Sequence, residues 1–395
     1  MEENRVTYFK TLNKIDCNGC GACSLVCPVH CLKMEKDEEG FLYPVKDESK
    51  CIHCGKCEKA CSNFNDKKEE NEKAYIAINK NIEDLNKSSS GGMYLILAKY
   101  VVEQKGVIFG VTYDKDLNVI HSYAENEKGI YKFCGSKYVR SDLKDSYQKA
   151  QEFLNQDRLV LFTGTACQIS GLKHYLNKEY ENLITCDILC HANPSPLVFD
   201  IYKRNLEKKY NKKIVNFKFR AKETGWRNQY PLVEFENGEK VEEEEFFKIF
   251  ISEIINRPSC YFCKFASMRR ITDFTIGDLW GIEKIDPSVD ATNGVSLLTV
   301  NSEKGSKIFD KVKDKIDYKE TDYKLVASYN HYQNVQIPSK REKFFKEVKS
   351  EKINDDNIIY KIRKYTKVPM YTKIFEKGKR MIKKIFEILN NVKWK

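Results

Sequence analysis

Nine of the chain's 15 cysteines lie within the first 61 residues, and eight of these nine repeat one spacing twice. The first copy is Cys17, Cys20, Cys23 and Cys27, and the second copy is Cys51, Cys54, Cys57 and Cys61. Each copy reads C-x2-C-x2-C-x3-C, followed by Pro28 in the first and by Ser62 in the second. Glycines inside both runs allow the backbone to pass close to a bound inorganic group.

This spacing is typical of the bacterial two-cluster ferredoxins, in which the fourth cysteine of each run ligates the other cluster. It predicts two 4Fe–4S clusters and one-electron transfer. We assign the first cluster to Cys17, Cys20, Cys23 and Cys61, and the second to Cys51, Cys54, Cys57 and Cys27. A disulfide framework would need an oxidising compartment, and Met1–Lys10 lacks the apolar stretch of a signal peptide. Zinc ribbons use pairs of C-x2-C instead of triplets.

Composition excludes some partners. The formal charge of +11 treats every cysteine as neutral, whereas each oxidised cluster with four thiolates brings about −2, so two clusters lower the balance to about +7. The basicity therefore does not indicate nucleic acid, and no zinc finger or RNA-binding signature is present. No apolar run approaches the roughly 18 residues of a transmembrane helix. We expect a cytoplasmic protein.

The 395 residues are enough for two or three domains. We expect an α+β ferredoxin-like unit over 1–64, a charged linker over 65–73, a mixed α/β body over 74–330, and a basic helical extension over 331–395. Periodicity predicts helices at Gly92–Gln104, Ser141–Asn155, Ala166–Asn177, Pro196–Tyr210 and Phe246–Asn256. Strands are predicted at Ala74–Ile78, Gly106–Tyr113, Asn118–Tyr123, Leu159–Thr163, Leu183–Leu189, Ile214–Arg220, Tyr230–Phe235, Lys240–Glu243, Ile271–Ile276 and Val295–Val300. This alternation favours a sheet covered by helices.

Seven local strings follow one another in the body. They are Ser88–Gly92, Gly135–Tyr138, Thr163–Gln168, Cys190–Pro196, Phe219-Arg220 with Gly225-Trp226, Arg257–Cys263 and Asp273–Gly281. This ordered set resembles the coenzyme F420 hydrogenase/dehydrogenase beta-subunit family, from about Ala74 to about Asn301. The resemblance implies FAD, iron–sulfur clusters and an oxidoreductase that links a one-electron donor to a two-electron acceptor. Coenzyme F420 is the acceptor in some members, and other members use other substrates.

Candidate flavin contacts lie at presumed helix starts, where backbone N–H groups can approach a pyrophosphate. They are Ser90, Gly91, Gly92, Gly164 and Thr165. Lys137 is a candidate cofactor-binding and catalytic residue, because its charge would stabilise phosphate or reduced flavin. Each also has a plain alternative: a Ser-Gly-Gly start can simply cap a helix, and a lysine can simply be solvated.

Four further cysteines suggest a third 4Fe–4S cluster. Cys260 and Cys263 form a C-x2-C pair, while Cys167 and Cys190 each follow a buried strand and can meet at one edge of the sheet. A structural zinc on the same four thiols and inert buried cysteines remain alternatives. Cys31 and Cys186 are expected in the core.

Two more residues near these strings are candidates. His191 adjoins Cys190 and could relay protons as a catalytic residue, or it could be structural. Asp278 could orient a cofactor, or it could cap a turn.

The C-terminal stretch Lys361–Lys395 is basic, with apolar residues at three- and four-residue steps. It could lie on an anionic membrane surface or dock a partner. The alternative is a helix that packs on the body.

Together these features predict an iron–sulfur flavoprotein oxidoreductase. Electrons would come from ferredoxin or a redox partner subunit, and a small-molecule acceptor such as coenzyme F420 would receive two of them. No G-x-G-x-x-G opens a βαβ unit, so a nicotinamide site is not expected. The alternatives are a non-catalytic electron-transfer subunit of a larger redox complex and a redox sensor.

Overall fold

The computed structural model describes residues 7–62, 73–223, 225–228, 230–327 and 333–367. Nearly all of the predicted linker and the amphipathic stretch from Tyr371 onward lie outside these described residues. Within the described part of the chain, none of the helices has the length and apolar character needed to cross a membrane.

The N-terminal unit contains three short helices and one hairpin, and two of the helices lie within the cysteine runs. Its elements are α1 (Tyr8–Thr11), α2 (Ala22–Leu25), β1 (Leu32–Lys36), β2 (Leu42–Lys46) and α3 (Lys56–Lys59). Strands β1 and β2 are antiparallel, with Met34 opposite Pro44. Helices α2 and α3 are 34 residues apart in the chain, as are the cysteines, and each begins after a left-handed glycine.

The body is built on an eight-stranded mixed sheet with the order β13-β3-β12-β11-β7-β6-β4-β5. These strands are β3 (Lys73–Asn79), β4 (Val107–Tyr113), β5 (Val119–Ala124), β6 (Val160–Thr165), β7 (Leu183–Ile188), β11 (Phe274–Asp278), β12 (Ser296–Val300) and β13 (Ile316–Thr321). A smaller antiparallel sheet contains β8 (Ile214–Ala221), β9 (Tyr230–Phe235) and β10 (Lys240–Glu242). Strands β4, β6, β7 and β11 are parallel neighbours, so their carboxyl ends share one edge.

Helices cover both faces of the large sheet. They are α4 (Ile82–Lys87), α5 (Met93–Glu103), α6 (Glu127–Ile130), α7 (Ser146–Leu154), α8 (Ala166–Leu176), α9 (Pro196–Tyr210), α10 (Glu245–Ile251), α11 (Ile282–Ile285), α12 (Glu303–Val312), α13 (Tyr323–Ala327), α14 (Arg341–Lys349) and α15 (Ile358–Thr366). Apolar side chains of α5 and α12 pack on one face, and those of α7 and α8 pack on the other. Helices α14 and α15 share an apolar core with α9 and α10.

Three predicted elements differ from the structure by three or more residues at one end. The helix expected over Ser141–Asn155 begins only at Ser146, because Asp142 is held against β5 by its N–H bond to Val119 O at 2.9 Å. The helix expected over Phe246–Asn256 ends at Ile251, and Glu253 follows in a left-handed conformation that breaks it. The strand expected from Ile271 begins at Phe274.

The N-terminal unit packs directly on the body. The Arg257 guanidinium of the body donates to the backbone oxygens of Cys17 and Leu42. Glu39, in the hairpin, is held by Arg341 and by the Ser195 hydroxyl. Helix α8 approaches so closely that a Cβ on Gly171 would lie 2.6 Å from Cys20 Cβ. The first cysteine copy is therefore fixed against the helix that begins near Cys167.

Candidate redox site

The two cysteine copies have matching backbones. Gly19 and His53 both have positive φ (63° and 51°), and so do Gly21 and Gly55 (74° and 71°). In both copies a backbone N–H points at the first cysteine sulfur, from Gly19 to Cys17 and from His53 to Cys51, each at 3.4 Å. Such N–H···S contacts suit a deprotonated, ligating thiolate.

The contacts between the copies agree with the crossed ligand sets. Ser62, next to Cys61, donates its hydroxyl to Cys20 Sγ at 3.2 Å. On the other side, Cys27, Cys31, Cys51 and Cys57 contribute to one small apolar cluster. The fourth cysteine of each run thus lies beside the other run, although Cys23 also belongs to that apolar cluster. Cys31 is buried there, as predicted for a core residue.

The copies differ in exposure. Cys17, Cys20 and Cys23 are buried, the first two of them against the body. Cys54 is exposed, and its neighbours Cys51 and Cys57 are partly exposed. Ile52, next to Cys51, has 60% of its surface exposed. An external electron carrier can therefore approach the second copy, and the first copy faces the interior.

The four body cysteines surround a small cavity of about 40 Å³ at the carboxyl edge of the sheet. Cys167 follows β6, Cys190 follows β7, and Cys260 and Cys263 come from the 3-10 turn Pro258–Phe262 and the residue after it. The loop after Cys263 is held by Arg270, which donates to Phe265 O and Ser267 O and pairs with the buried Asp187. The structure thus brings together the four cysteines that the sequence proposed as one set.

These sulfurs lie in a desolvated environment. Burial raises the pKa of Cys190 well above its ordinary value, and the nearby Cys260, Cys167 and Cys263 thiols raise it further. Burial likewise raises the pKa of Cys263 to about 12. Neighbouring thiols such as Cys190 and Cys263 ionise together only when positive charge is supplied, which is what a bound metal centre does.

The distances between the sulfurs bear on whether the four body cysteines would bind a zinc ion or a 4Fe–4S cluster. Among the described residues, the only group of three or more potential ligand atoms within 4.8 Å of one another is Glu48, Cys51 and His53. The four body sulfurs are therefore more widely spread than the roughly 3.8 Å expected between thiolates that share a tetrahedral zinc with 2.3 Å bonds. A cube of four irons has room for such a spread, so the donor set fits a 4Fe–4S cluster better than zinc.

Two buried arginines lie between the N-terminal unit and this quartet. Arg140 donates to Cys167 Sγ at 3.4 Å and to Gly19 O at 3.0 Å. Arg257, only 1% exposed, lies 4.1 Å from the centre of the Tyr43 ring. In the described ranges neither guanidinium forms an ion pair with a carboxylate. A buried cation needs a compensating anion, and anionic clusters on either side would supply it.

A larger cavity of about 410 Å³ lies beside the quartet. It collects most of the candidate flavin residues, and its lining includes Ser90, Gly92, Lys137, Gly164, Thr165, Cys190, His191 and Asp278. Gly91 is not part of the lining. Its N–H donates to Ser296 Oγ at 2.9 Å and its carbonyl accepts from Asn79 N, so Gly91 serves the close packing of β3 and β12.

The wall formed by the start of α5 suits an anion. Gly92 precedes α5 with a φ of 84°, and the first N–H groups of a helix attract negative charge. Lys222 fixes the serine loop through the carbonyls of Ser88 and Ser90, at 2.9 and 3.2 Å. Ser89 Oγ accepts from Ser136 N at 2.8 Å.

Lys137 is partly buried in the same wall. Its ammonium group donates to the backbone oxygens of Cys134 and Phe133 at 2.9 and 3.3 Å. Burial lowers the pKa of Lys137 to about 8. An anion in the cavity would restore the charge, so this lysine is suited to phosphate or to an anionic flavin ring.

The candidate Asp278 and several groups to which the sequence assigned no role complete the cavity. The Asp278 carboxylate pairs with both terminal nitrogens of Arg220 and accepts from Trp226 Nε1 at 2.9 Å. Trp226 in turn stacks on Trp280 at 4.9 Å, and on another wall Tyr138 stacks on Phe250 at 4.3 Å. Asp278 therefore holds Arg220 and an aromatic wall in place.

His191 lines both the larger cavity and the small cavity of the quartet. Its Nε2 lies 3.2 Å from Glu253 Oε1. His191 therefore adjoins both the four body cysteines and the larger cavity.

Comparisons with known proteins match two regions of the chain. Residues 157–324 match the family model that describes the C terminus of the coenzyme F420 hydrogenase/dehydrogenase beta subunit, and residues 16–64 match the 4Fe-4S dicluster domain. A chain in a xenon-derivatized structure of the F420-reducing NiFe hydrogenase complex from Methanosarcina barkeri is similar at 17% identity, over 76% of this chain and 94% of that chain, with a TM-score of 0.44. Among curated proteins, no sequence matches the chain. Residues 157–324 therefore carry the C-terminal domain of the coenzyme F420 hydrogenase/dehydrogenase beta-subunit family, and residues 16–64 carry a 4Fe-4S dicluster domain.

Proposed function

We propose that the chain is an iron–sulfur flavoprotein oxidoreductase that links a one-electron donor to a two-electron acceptor. Three 4Fe–4S clusters and one FAD would be its cofactors. When bound, the FAD would supply the conversion between single electrons and electron pairs. The ligands of the third cluster would be Cys167, Cys190, Cys260 and Cys263.

The observation that carries this proposal is the pair of buried arginines, neither of which has a carboxylate partner among the residues that the structure describes. Arg140 joins the first cysteine copy to the quartet, because it contacts both Gly19 O and Cys167 Sγ. Such a cation is stable in the interior only beside negative charge. Reduction makes a cluster more negative, so the same cation also favours the arrival of an electron.

The difference in exposure between the cysteine sites supports a direction of electron transfer from the N-terminal unit to the body. The exposed Cys54 is the point of contact for an external donor, such as ferredoxin or a partner subunit. The buried Cys20 lies against α8, and Cys167 occupies the first turn of that helix. His191 and Thr165 line the small cavity of the quartet and also the larger cavity. The proposed centres therefore form a continuous series.

Within the larger cavity, different residues would bind the FAD, shield it from water and hold a proton beside it. The start of α5 at Gly92 and the Lys137 ammonium would bind the pyrophosphate or the anionic ring edge. Trp280 and Tyr138 would shield the flavin from water, and His191 is in a position to hold a proton beside it. Coenzyme F420 is a candidate acceptor, and the apolar lining also accommodates other flat aromatic acceptors.

Cofactor analysis of anaerobically purified protein tests the proposal. The full chain should contain about twelve iron atoms, twelve sulfides and one FAD, by ligand count. Cys260→Ser should lower iron to about eight, because a cube that loses a ligand is usually lost. Cys186→Ala is the matched control, since Cys186 is buried in β7 away from the quartet, and it should keep full iron. Unchanged iron in Cys260→Ser would rule out the third cluster.

Turnover distinguishes an enzyme from a non-catalytic electron-transfer subunit. Reduced ferredoxin should bleach the flavin of the isolated chain rapidly, while NADH should act slowly or not at all. Reduction of F420 or of another two-electron acceptor by the isolated chain would support an enzyme. Flavin reduction without turnover on any acceptor would favour the electron-transfer subunit. Rapid reduction by NADH in protein stripped of its N-terminal clusters would contradict the proposed entry point.

A further inference from the structure

Asn18 belongs to the loop of the first cysteine copy but extends into the site of the third cluster. It lies between Cys17 and Gly19 in the chain. Its side chain lines the small cavity that the body cysteines surround, together with Cys167 and Cys260. It is the only residue of the N-terminal unit in that lining.

The side-chain amide of Asn18 has an unused donor. Its Nδ2 is shielded from solvent and donates to no acceptor in the described part of the protein. A buried donor without an acceptor is unfavourable, and an unpaired one in a native protein calls for a missing partner. The cavity that the amide lines is the place where the sulfurs of a cluster would lie.

The cysteine repeat provides an internal comparison. The position equivalent to Asn18 in the second copy, 34 residues later, is Ile52. Ile52 is largely exposed and is not among the residues that line the small cavity. The two copies therefore share their ligand spacing and backbone, but the amide occurs only in the copy that faces another set of cysteines.

We infer that Asn18 Nδ2 donates a hydrogen bond to a sulfur of the third cluster and raises its reduction potential. This inference rests on the third cluster of the proposed function. A hydrogen bond to sulfur stabilises the reduced, more negative state more than the oxidised state. Asn18 is a positioning residue, which shifts the electron equilibrium from the first cysteine copy toward the body.

A redox titration followed by electron paramagnetic resonance tests the inference on the full, cluster-loaded chain. The third-cluster signal is first identified as the one that Cys260→Ser removes. Asn18→Ile, which installs the residue of the second copy, should shift the electron equilibrium of that cluster about tenfold toward the oxidised state, or about 59 mV for one electron. Asn18→Asp keeps the size but replaces the amide donor with a carboxylate, whose negative charge also opposes reduction, so it should lower the midpoint by more than Asn18→Ile does. Ile52→Asn is the matched control and should leave the midpoint unchanged.

The outcomes separate the inference from the proposed function. An unchanged third-cluster midpoint in Asn18→Asp with full iron would overturn the role of Asn18 and leave the cluster assignment intact. A wild-type protein without any signal sensitive to Cys260→Ser would overturn both. A lower midpoint in both Asn18 variants, with Asn18→Gln recovering part of the shift, would support the hydrogen bond, because a merely structural role does not depend on an amide donor.

Discussion

Removing the positive charge of Arg140 should make the third cluster harder to reduce. The guanidinium donates to Cys167 Sγ at 3.4 Å and is 7% exposed. If the cube's centre is roughly 6 Å from that charge and the effective dielectric constant is about 20, one added electron interacts with Arg140 by about 3 kcal/mol. Because a tenfold change in a one-electron equilibrium is about 59 mV, Arg140→Gln should lower the midpoint potential by about 120 mV.

The assay is a spectroscopic redox titration of the loaded wild-type protein, of Arg140→Gln and of Arg140→Lys. The lysine variant keeps the charge but loses the two-sided contact with Cys167 and Gly19, so most of the wild-type potential should remain. Iron content must stay near twelve atoms in each variant, since a lost cluster would remove the signal instead of shifting it.

The result that would refute this reasoning is a small difference between the two variants. Midpoints of Arg140→Gln and Arg140→Lys within about 30 mV of each other would mean that the charge does not act on the cluster. A large drop in both variants would assign the effect to the hydrogen bonds instead of the charge.

Three further predictions concern the cavity and the domain contact. Gly92→Val should abolish flavin binding, seen as loss of flavin absorbance with N-terminal iron retained, because a Cβ at this left-handed position would lie 2.8 Å from Asn79 Cβ; retained flavin would contradict the anion site. Burial lowers the pKa of Lys137 to about 8, so the folded state of the flavin-free protein binds fewer protons than the unfolded state above that pH. Its free energy of unfolding should therefore rise between about pH 8 and the ordinary lysine pKa near 10.4, and urea titrations should show this rise flattened in Lys137→Met. Gly171→Val should destabilise the docking of the N-terminal unit by about 1–3 kcal/mol through overpacking against Cys20, and an unchanged urea midpoint would mean that this contact yields easily.

The cysteine spacing allowed the N-terminal clusters to be predicted because their ligands are close in sequence. The body strands were also predictable, since continuous apolar runs mark buried strands. The edge strand β13, with its exposed residues, gave no comparable signal. Helix α12 was also not predicted, although Ile308, Phe309 and Val312 recur in it at helical spacing. Long-range contacts were hidden as well. In the string Ser90-Gly91-Gly92, the sequence does not distinguish the glycine that packs against β12 from the glycine that precedes a helix. The role of Arg140 is visible only in the structure, where Gly19 and Cys167 lie on either side of it.

The contacts that hold the N-terminal unit come from distant parts of the body. Glu39 is bound by Arg341, near the end of the described chain, and by Ser195 at the start of α9. Because the N-terminal unit is held at several points, it does not need to move relative to the body for electron transfer to occur. Electron delivery should therefore be insensitive to solvent viscosity, and the peptide between residues 62 and 73 should be dispensable. The two parts, produced as separate polypeptides, should reassemble into a working heterodimer, and natural relatives could equally encode them as two genes.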